Sequence, residues 1–154
     1  MMWVPPEDTD PILLHAPTRK SVAVFGAVCE TDRRFHWQRA DKFCAETFLE
    51  FLKGVITRRR RGRKMVIVLD NARFHHASAL RPWLKEHQKE ICLDFLPPYS
   101  PELNPTERVW KLTRRLRTHN QYFPELGQLV ASVTDQLTQW QKPNETLHRL
   151  CAII

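Results

Sequence analysis

Two carboxylates in this chain stand where their chemistry could be used. Asp70 follows directly on the apolar run Met65 to Leu69 (MVIVL), and Glu107 lies three residues after Asn104 in the segment LNPTERVW. An acid at the end of a buried strand is costly unless water, a partner group or a cation meets it. Carboxylate oxygens are also the ligands that hard divalent cations take. Each acid has a plainer explanation too. Asp70-Asn71 is a turn pair whose Asp can hydrogen-bond its own backbone. Asn104 as N-cap, Pro105 at the first helical position and Glu107 at the third compose a helix-capping box. Capping and ligation need not conflict, since a carboxylate in a first helical turn is held on rigid backbone. His75 follows Asp70 by five residues and could orient a carboxylate or a phosphate, and Asn71 carries the same ambiguity; an exposed or structural histidine is the alternative.

The elements that must position these groups are legible in the apolar pattern. Ser21 to Cys29 (SVAVFGAVC) is β-branched and apolar, a strand, and Arg34 to Arg39 reads as its hairpin partner across a polar turn. Asp41 is a candidate N-cap for a helix with Cys44, Phe48, Phe51, Leu52, Val55 and Ile56 at helical spacing. Met65 to Leu69 has no polar alternation, which predicts a central strand covered on both faces. A helix including Leu80, Trp83, Leu84 and His87 follows, with Pro82 disturbing its first turn. Ile91 to Leu96 is the next strand, so that strand, helix and strand form a parallel crossover. A stiff loop, PPYSPEL, leads to a helix from Asn104-Pro105 through Leu116, and a longer one carries Leu126 to Trp140 on one stripe. Asn144 is placed to cap a short terminal helix. The layout is α/β with a mixed sheet, without internal repeats. It divides into a proline-rich arm over 1–18, a core over 19–141 and a terminal helix over 142–154.

Bulk properties bound the function. The chain has 154 residues, 42% hydrophobic and 27% charged, which suits one folded domain. No apolar run is long enough to cross a membrane, and the N-terminus lacks the basic start and apolar stretch of a signal peptide, so the expected compartment is the cytoplasm. Four cysteines, Cys29, Cys44, Cys92 and Cys151, show no zinc spacing and read as buried free thiols. A net charge of +7 suits a polyanionic partner. The candidate phosphate contacts are Arg58, Arg59, Arg60, Arg61, Arg63 and Lys64 in one block, and Lys111, Arg114 and Arg115 after Glu107. A solvated polar surface is the alternative for each.

Taken together, VLDNARFHHA and LPPYSPELNPTERVW closely resemble the DDE-type transposases of the mariner-like and bacterial insertion-sequence superfamily. The resemblance runs from about Ser21 to about Leu116. It implies that Asp70 is the second catalytic carboxylate and metal ligand, with Asn71 and His75 beside it, and that Glu107 is the third. The 36 residues between the two acids fall within the short spacing of that superfamily. The implied fold is ribonuclease-H-like. The implied chemistry is phosphodiester cleavage and strand transfer on transposon ends and target DNA, with Mg²⁺ or Mn²⁺ in a two-metal site whose ions lie roughly 4 Å apart. The PPYSPELNPTE segment argues against a resolvase or integrase with the same fold.

The same resemblance implies a first catalytic Asp on a central strand upstream of the segment matching Trp3 to Pro17. Glu7, Asp8 and Asp10 lie in a proline-rich stretch and are poor substitutes. The expectation is a core that lacks its first strand and is inactive alone. An upstream transposase fragment or a second copy of the chain would then be needed to complete it. The alternative is a non-catalytic nucleic-acid-binding remnant.

Overall fold

The computed structural model describes residues 22–151. The proline-rich arm, with Glu7, Asp8 and Asp10, lies outside the described residues.

A hairpin opens the fold, β1 (Ala23–Cys29) pairing antiparallel with β2 (Arg34–Ala40). The turn is closed by the Arg33 amide on the Cys29 carbonyl at 2.9 Å and by the Arg34 amide on Asp32 Oδ1 at 3.0 Å. Helix α1 (Ala45–Ile56) follows, then strand β3 (Met65–Leu69). Two 3₁₀ turns, Arg73–His76 and Ser78–Leu80, lead into α2 (Arg81–Glu86). Strand β4 (Ile91–Phe95) lies parallel to β3. The chain closes with a 3₁₀ turn at Pro101–Leu103 and helices α3 (Pro105–Arg117), α4 (Leu126–Gln139) and α5 (Glu145–Cys151).

The expected helix around Leu80 to His87 forms as the short α2 after two 3₁₀ turns, with Pro82 tolerated in its first turn, where its missing N–H is not needed. The first helix starts later than Asp41 suggested. Cys44 is its N-cap, and the Cys44 amide donates to Thr47 Oγ1 at 3.2 Å in a capping box. Asn144 caps α5 as expected, accepting from the Leu147 amide at 2.9 Å.

Helix α1 organises one core. Its residues Phe48, Phe51, Leu52 and Val55 recur every three or four positions, so one stripe is apolar. That stripe buries Phe25 of β1, Ile67 of β3 and Ile91 of β4 in one cluster. A second core lies on the opposite face of the hairpin. There Phe35 meets Val109 of α3, Leu137 of α4, Trp140 and Leu147 of α5. Alternation along β1 divides the work: Phe25 and Ala27 join the first core, Val24 and Val28 the second. The Phe35 amide also donates to the Trp140 carbonyl at 2.8 Å, which ties the hairpin to the end of α4.

The strands form two two-stranded sheets rather than one mixed sheet. Among the described residues β1 and β3 each have a single hydrogen-bonded neighbour, and both pack on α1. Coverage of β3 differs from the expectation. Ile67 is buried, yet Val66 and Val68 are 57% and 50% exposed, so only one face of the strand is covered. The cysteines are free, but only Cys151 is buried; Cys29, Cys44 and Cys92 are partly exposed. No described helix is long and apolar enough to cross a membrane.

Gly26 sets how close α3 comes to the hairpin. A Cβ there would lie 2.8 Å from Cζ2 of Trp110 and closer still to the Phe35 ring. Those two rings meet edge to face at 5.3 Å and have no room to yield. Gly26→Ala is therefore expected to destabilise the fold by about 1–3 kcal/mol through overpacking. Urea denaturation measures this, and an unchanged midpoint would contradict the tight approach of α3.

Candidate active site

Asp70 is the first residue after β3, and the parallel ladder ends on the pair Leu69 and Phe95. The Leu96 amide continues the ladder onto the Leu69 carbonyl at 2.8 Å. Asn71 then locks the two strand ends together, its side-chain amide donating to the Leu96 carbonyl at 2.7 Å. His76 supports that contact: its Nε2 lies 3.3 Å from Asn71 Oδ1, and its ring stacks on Phe95 at 4.2 Å. Local sequence did not single out His76. The signal was the i+5 spacing from Asn71, the same spacing that relates His75 to Asp70.

The Asp70 carboxylate uses one oxygen locally. Oδ1 accepts from the Ala72 amide at 3.2 Å, which is the turn role anticipated from Asp-Asn, and lies 3.0 Å from His75 Nδ1. His75 Nδ1 is also 3.1 Å from the Asp70 carbonyl, so this nitrogen faces two acceptors and carries the proton. The imidazole is wedged against Phe48 and Phe74, each with its centroid 4.4 Å away. Burial lowers its pKa below the ordinary histidine value, against the opposing pull of Asp70, so the ring is neutral near pH 7. Asp70 Oδ2 has no partner among the described residues, and the side chain is 59% exposed.

Glu107 arrives by a different route. From Leu96 the loop runs through Pro97, Pro98 and Tyr99 to the 3₁₀ turn and then to α3. Asn104 caps α3 by accepting from the Thr106 amide at 3.0 Å. The cap forms without the box: the Glu107 amide donates to the Asn104 carbonyl at 3.1 Å, but its carboxylate accepts no hydrogen bond among the described residues. The alternative role for Glu107 is therefore half realised, and the carboxylate is exposed. Neighbouring Arg108 fixes the start of the helix, donating to the carbonyls of Leu150 and Glu102 at 3.0 Å each.

Both acids line one cleft of about 420 Å³, with Asn71, Leu96, Pro97, Pro98, Tyr99, Ser100 and Asn104. Its two carboxylates present open oxygen donors, a set that suits a hard divalent cation rather than a soft one. Among the described residues no group of three or more Asp, Glu, His or Cys side chains is arranged to hold a metal.

The basic residues fall into two regions. Lys111 and Arg114 are exposed on α3 within about 40° of Glu107 around the helix axis, and Arg115 is further round. The block from Arg58 to Lys64 precedes β3, at the end of the strand opposite Asp70, about 16 Å away along five residues. The structure does not bring that block to the cleft. Within it Arg59 is engaged, donating to Glu90 and to the Arg63 carbonyl at 2.8 Å each.

The comparisons fit this geometry. The profile of the DDE superfamily endonucleases matches residues 2–130. The chain belongs to that superfamily. It is 30% identical over 86 residues to the insertion element IS630 uncharacterized 39 kDa protein of Shigella sonnei, a match over 56% of this chain and 25% of that protein. It is 33% identical over 119 residues to the uncharacterized protein y4pE/y4sA of Sinorhizobium fredii (strain NBRC 101917 / NGR234), a match over 77% of this chain and 82% of that one. The Mos1 mariner transposase catalytic domain superposes with a TM-score of 0.64 at 21% identity, over 91% of this chain and 71% of that one. The Mos1 strand transfer complex gives 0.63 at 21% identity, over 98% and 45%. The Mos1 catalytic domain with raltegravir and Mg gives 0.60 at 21% identity, over 84% and 68%. The chain thus has the ribonuclease-H-like fold of a transposase catalytic domain, and spans a quarter of the length of its insertion-element relative.

The Asn71 clasp makes a testable demand on this superfamily member. Asn71→Ala removes the bond to the Leu96 carbonyl, so the Leu96 and Leu103 amides should exchange with solvent at least about tenfold faster, as expected for loss of a bond worth ~1.5 kcal/mol. Unchanged exchange by mass spectrometry or NMR would show that the loop is held without it.

Proposed function

We propose that this chain is the downstream part of a transposase active site that cuts and joins DNA strands with Mg²⁺ or Mn²⁺. Asp70 and Glu107 are its two resident ligands. The observation that carries the reading is their convergence on one cleft from separate elements, each with an oxygen free of local partners. When bound, the divalent ions supply charge neutralisation at the attacking and leaving oxygens of a phosphodiester. The chain's own groups do the rest. His75 holds Asp70 Oδ1 from a neutral, wedged ring, and Asn71 with His76 holds the strand ends level. Arg108 anchors the first turn that carries Glu107. Lys111 and Arg114 continue that face of α3 and take the phosphates flanking the cut, while the Arg58 to Lys64 block meets DNA more remotely.

The reading includes a third carboxylate on an added strand. β1 and β3 each keep one sheet edge without a hydrogen-bonded neighbour among the described residues, both on the same face of α1. A strand laid between them would satisfy both ladders. An Asp on it would face the cleft at the carboxyl ends of the strands. That strand comes from outside the described residues; the reading takes it from an upstream segment or a second chain, with the chain's own arm around Ile12 to His15 as the other source. The Mg of the Mos1 catalytic domain with raltegravir, and the Mos1 strand transfer complex, support this assignment of cofactor and reaction.

The test is a nicking assay on DNA carrying the flanking ends of the element. The 154-residue chain with Mg²⁺ should leave that DNA intact. The same chain joined to the segment encoded immediately upstream should cleave it, and Asp70→Asn or Glu107→Gln should each lower the rate by more than about 100-fold, beyond the loss expected for a residue that merely orients a ligand. Robust Asp70-dependent cleavage by the chain alone would overturn the need for an added strand. Cleavage indifferent to both substitutions would overturn the site. DNA binding without cleavage in the joined protein would mark a non-catalytic remnant.

A further inference from the structure

The loop between the two acids carries an aromatic side chain that the fold does not use. Tyr99 is 101% exposed, and it has no ring contact and no hydrogen bond among the described residues. Its backbone is left-handed, with φ 58°, a region that disfavours a bulky L-residue. Two other non-glycine residues share that region. Arg33 is accounted for by its ion pair with Glu145 and by its carbonyl accepting from Asn144 at 3.1 Å. Asn120 is of a type that tolerates the conformation. Where the chain needs only the turn, within the arginine block, it uses Gly62 at φ 78°. Tyr99 keeps both the strain and the exposed ring.

The backbone that carries the ring is braced. Pro97 and Pro98 restrict the backbone before it, and Ser100 Oγ donates to the Pro98 carbonyl at 3.4 Å. The Leu103 amide closes the following turn on the Ser100 carbonyl at 3.2 Å, and Asn71 pins the base of the loop at Leu96. Tyr99 therefore stands on a braced loop at the rim of the cleft that Asp70 and Glu107 line. Strain retained under such bracing beside reactive groups is a mark of use.

We propose that Tyr99 is a stacking platform for one nucleobase of the DNA strand entering the cleft, a base drawn out of its helical stack next to the phosphodiester held at Asp70 and Glu107. This rests on the reading of the cleft as a DNA site. A nucleobase fits better than a protein side chain. The neighbouring cationic face of Lys111 and Arg114 on α3 draws a phosphate backbone along the helix that carries Glu107. A strand so drawn has its bases at hand for an exposed aromatic face, and stacking of this kind needs no particular sequence.

The experiment measures binding of single-stranded oligonucleotides to the chain by anisotropy, with 2-aminopurine moved through the strand one position at a time to report stacking. Tyr99→Phe should bind within about twofold of the parent. Tyr99→Ala and Tyr99→Gly should bind about tenfold more weakly and lose the 2-aminopurine quenching, with an unchanged salt slope. Glycine accepts the left-handed backbone, so Tyr99→Gly removes the ring while leaving the loop its conformation. Lys111→Ala with Arg114→Ala should do the reverse, lowering the salt slope and keeping the quenching. Parent-like affinity and quenching in Tyr99→Gly and Tyr99→Ala would overturn the role of Tyr99 while leaving the DNA reading intact. Failure of the parent chain to bind DNA even at low salt would overturn the DNA reading itself, and the stacking role with it.

Discussion

Leu69 and Phe95 are the last pair of the parallel β3–β4 ladder, and most of the site follows from that register. Because the strands run the same way, both chains leave the sheet at one edge. One leaves as Asp70-Asn71, the other as Leu96-Pro97. An antiparallel pairing would have put these exits at opposite ends. The parallel exit lets Asn71 bridge directly to the Leu96 carbonyl, and the stiff loop starting there returns Glu107 to the cleft in the first turn of α3. Two acids with 36 residues between them in sequence are neighbours for this reason.

The rest of the fold holds that edge steady from two sides. Helix α1 lies under both sheets, so Phe25, Ile67 and Ile91 share one core although their sheets do not hydrogen-bond to one another. From the other side α3, α4 and α5 clamp the hairpin through Phe35, Val109, Leu137 and Leu147. Helix α3 belongs to both tasks. Its Val109 is a core residue, and its first turn presents Glu107. Gly26 therefore matters to the site from a distance, since the closeness of Trp110 to the hairpin sets where α3 lies. The edges of β1 and β3 that have no hydrogen-bonded neighbour among the described residues are where the proposed strand would complete the sheet.

Much of this was legible in the residue order. MVIVL marks β3 to the residue, and Asn104-Pro105 marks the start of α3, because an apolar run and a helix cap are local signals. Asp70 and Glu107 were recognisable only as a pair, since each has an adequate local explanation and the structure realises part of both. The misses have physical causes. An unbroken apolar run implies two covered faces, but the second covering layer for Val66 and Val68 is not supplied by the described residues. Asp41 looked a better cap than Cys44, yet it is Cys44 whose amide donates to Thr47 Oγ1 at the start of the helix. Residue order says nothing of where the arginine block lies relative to the acids; the direction of β3 puts it at the far end of the strand. Tyr99 and His76 were not singled out: one declares itself by backbone conformation and exposure, the other, beyond its five-residue spacing from Asn71, by a stack on Phe95 that only folding creates.

The central claim is that Asp70 and Glu107 act as one cation site. Paramagnetic broadening of the amide NMR spectrum by Mn²⁺ tests it most directly, because it reports weak binding by position. The account predicts that amides around Asp70-Asn71 and around Asn104 to Arg108 broaden together at the same Mn²⁺ concentration. Asp70→Asn alone should abolish both effects, and Glu107→Gln alone should do the same. Broadening at only one of the two segments, or at both but undiminished by either substitution, would contradict it.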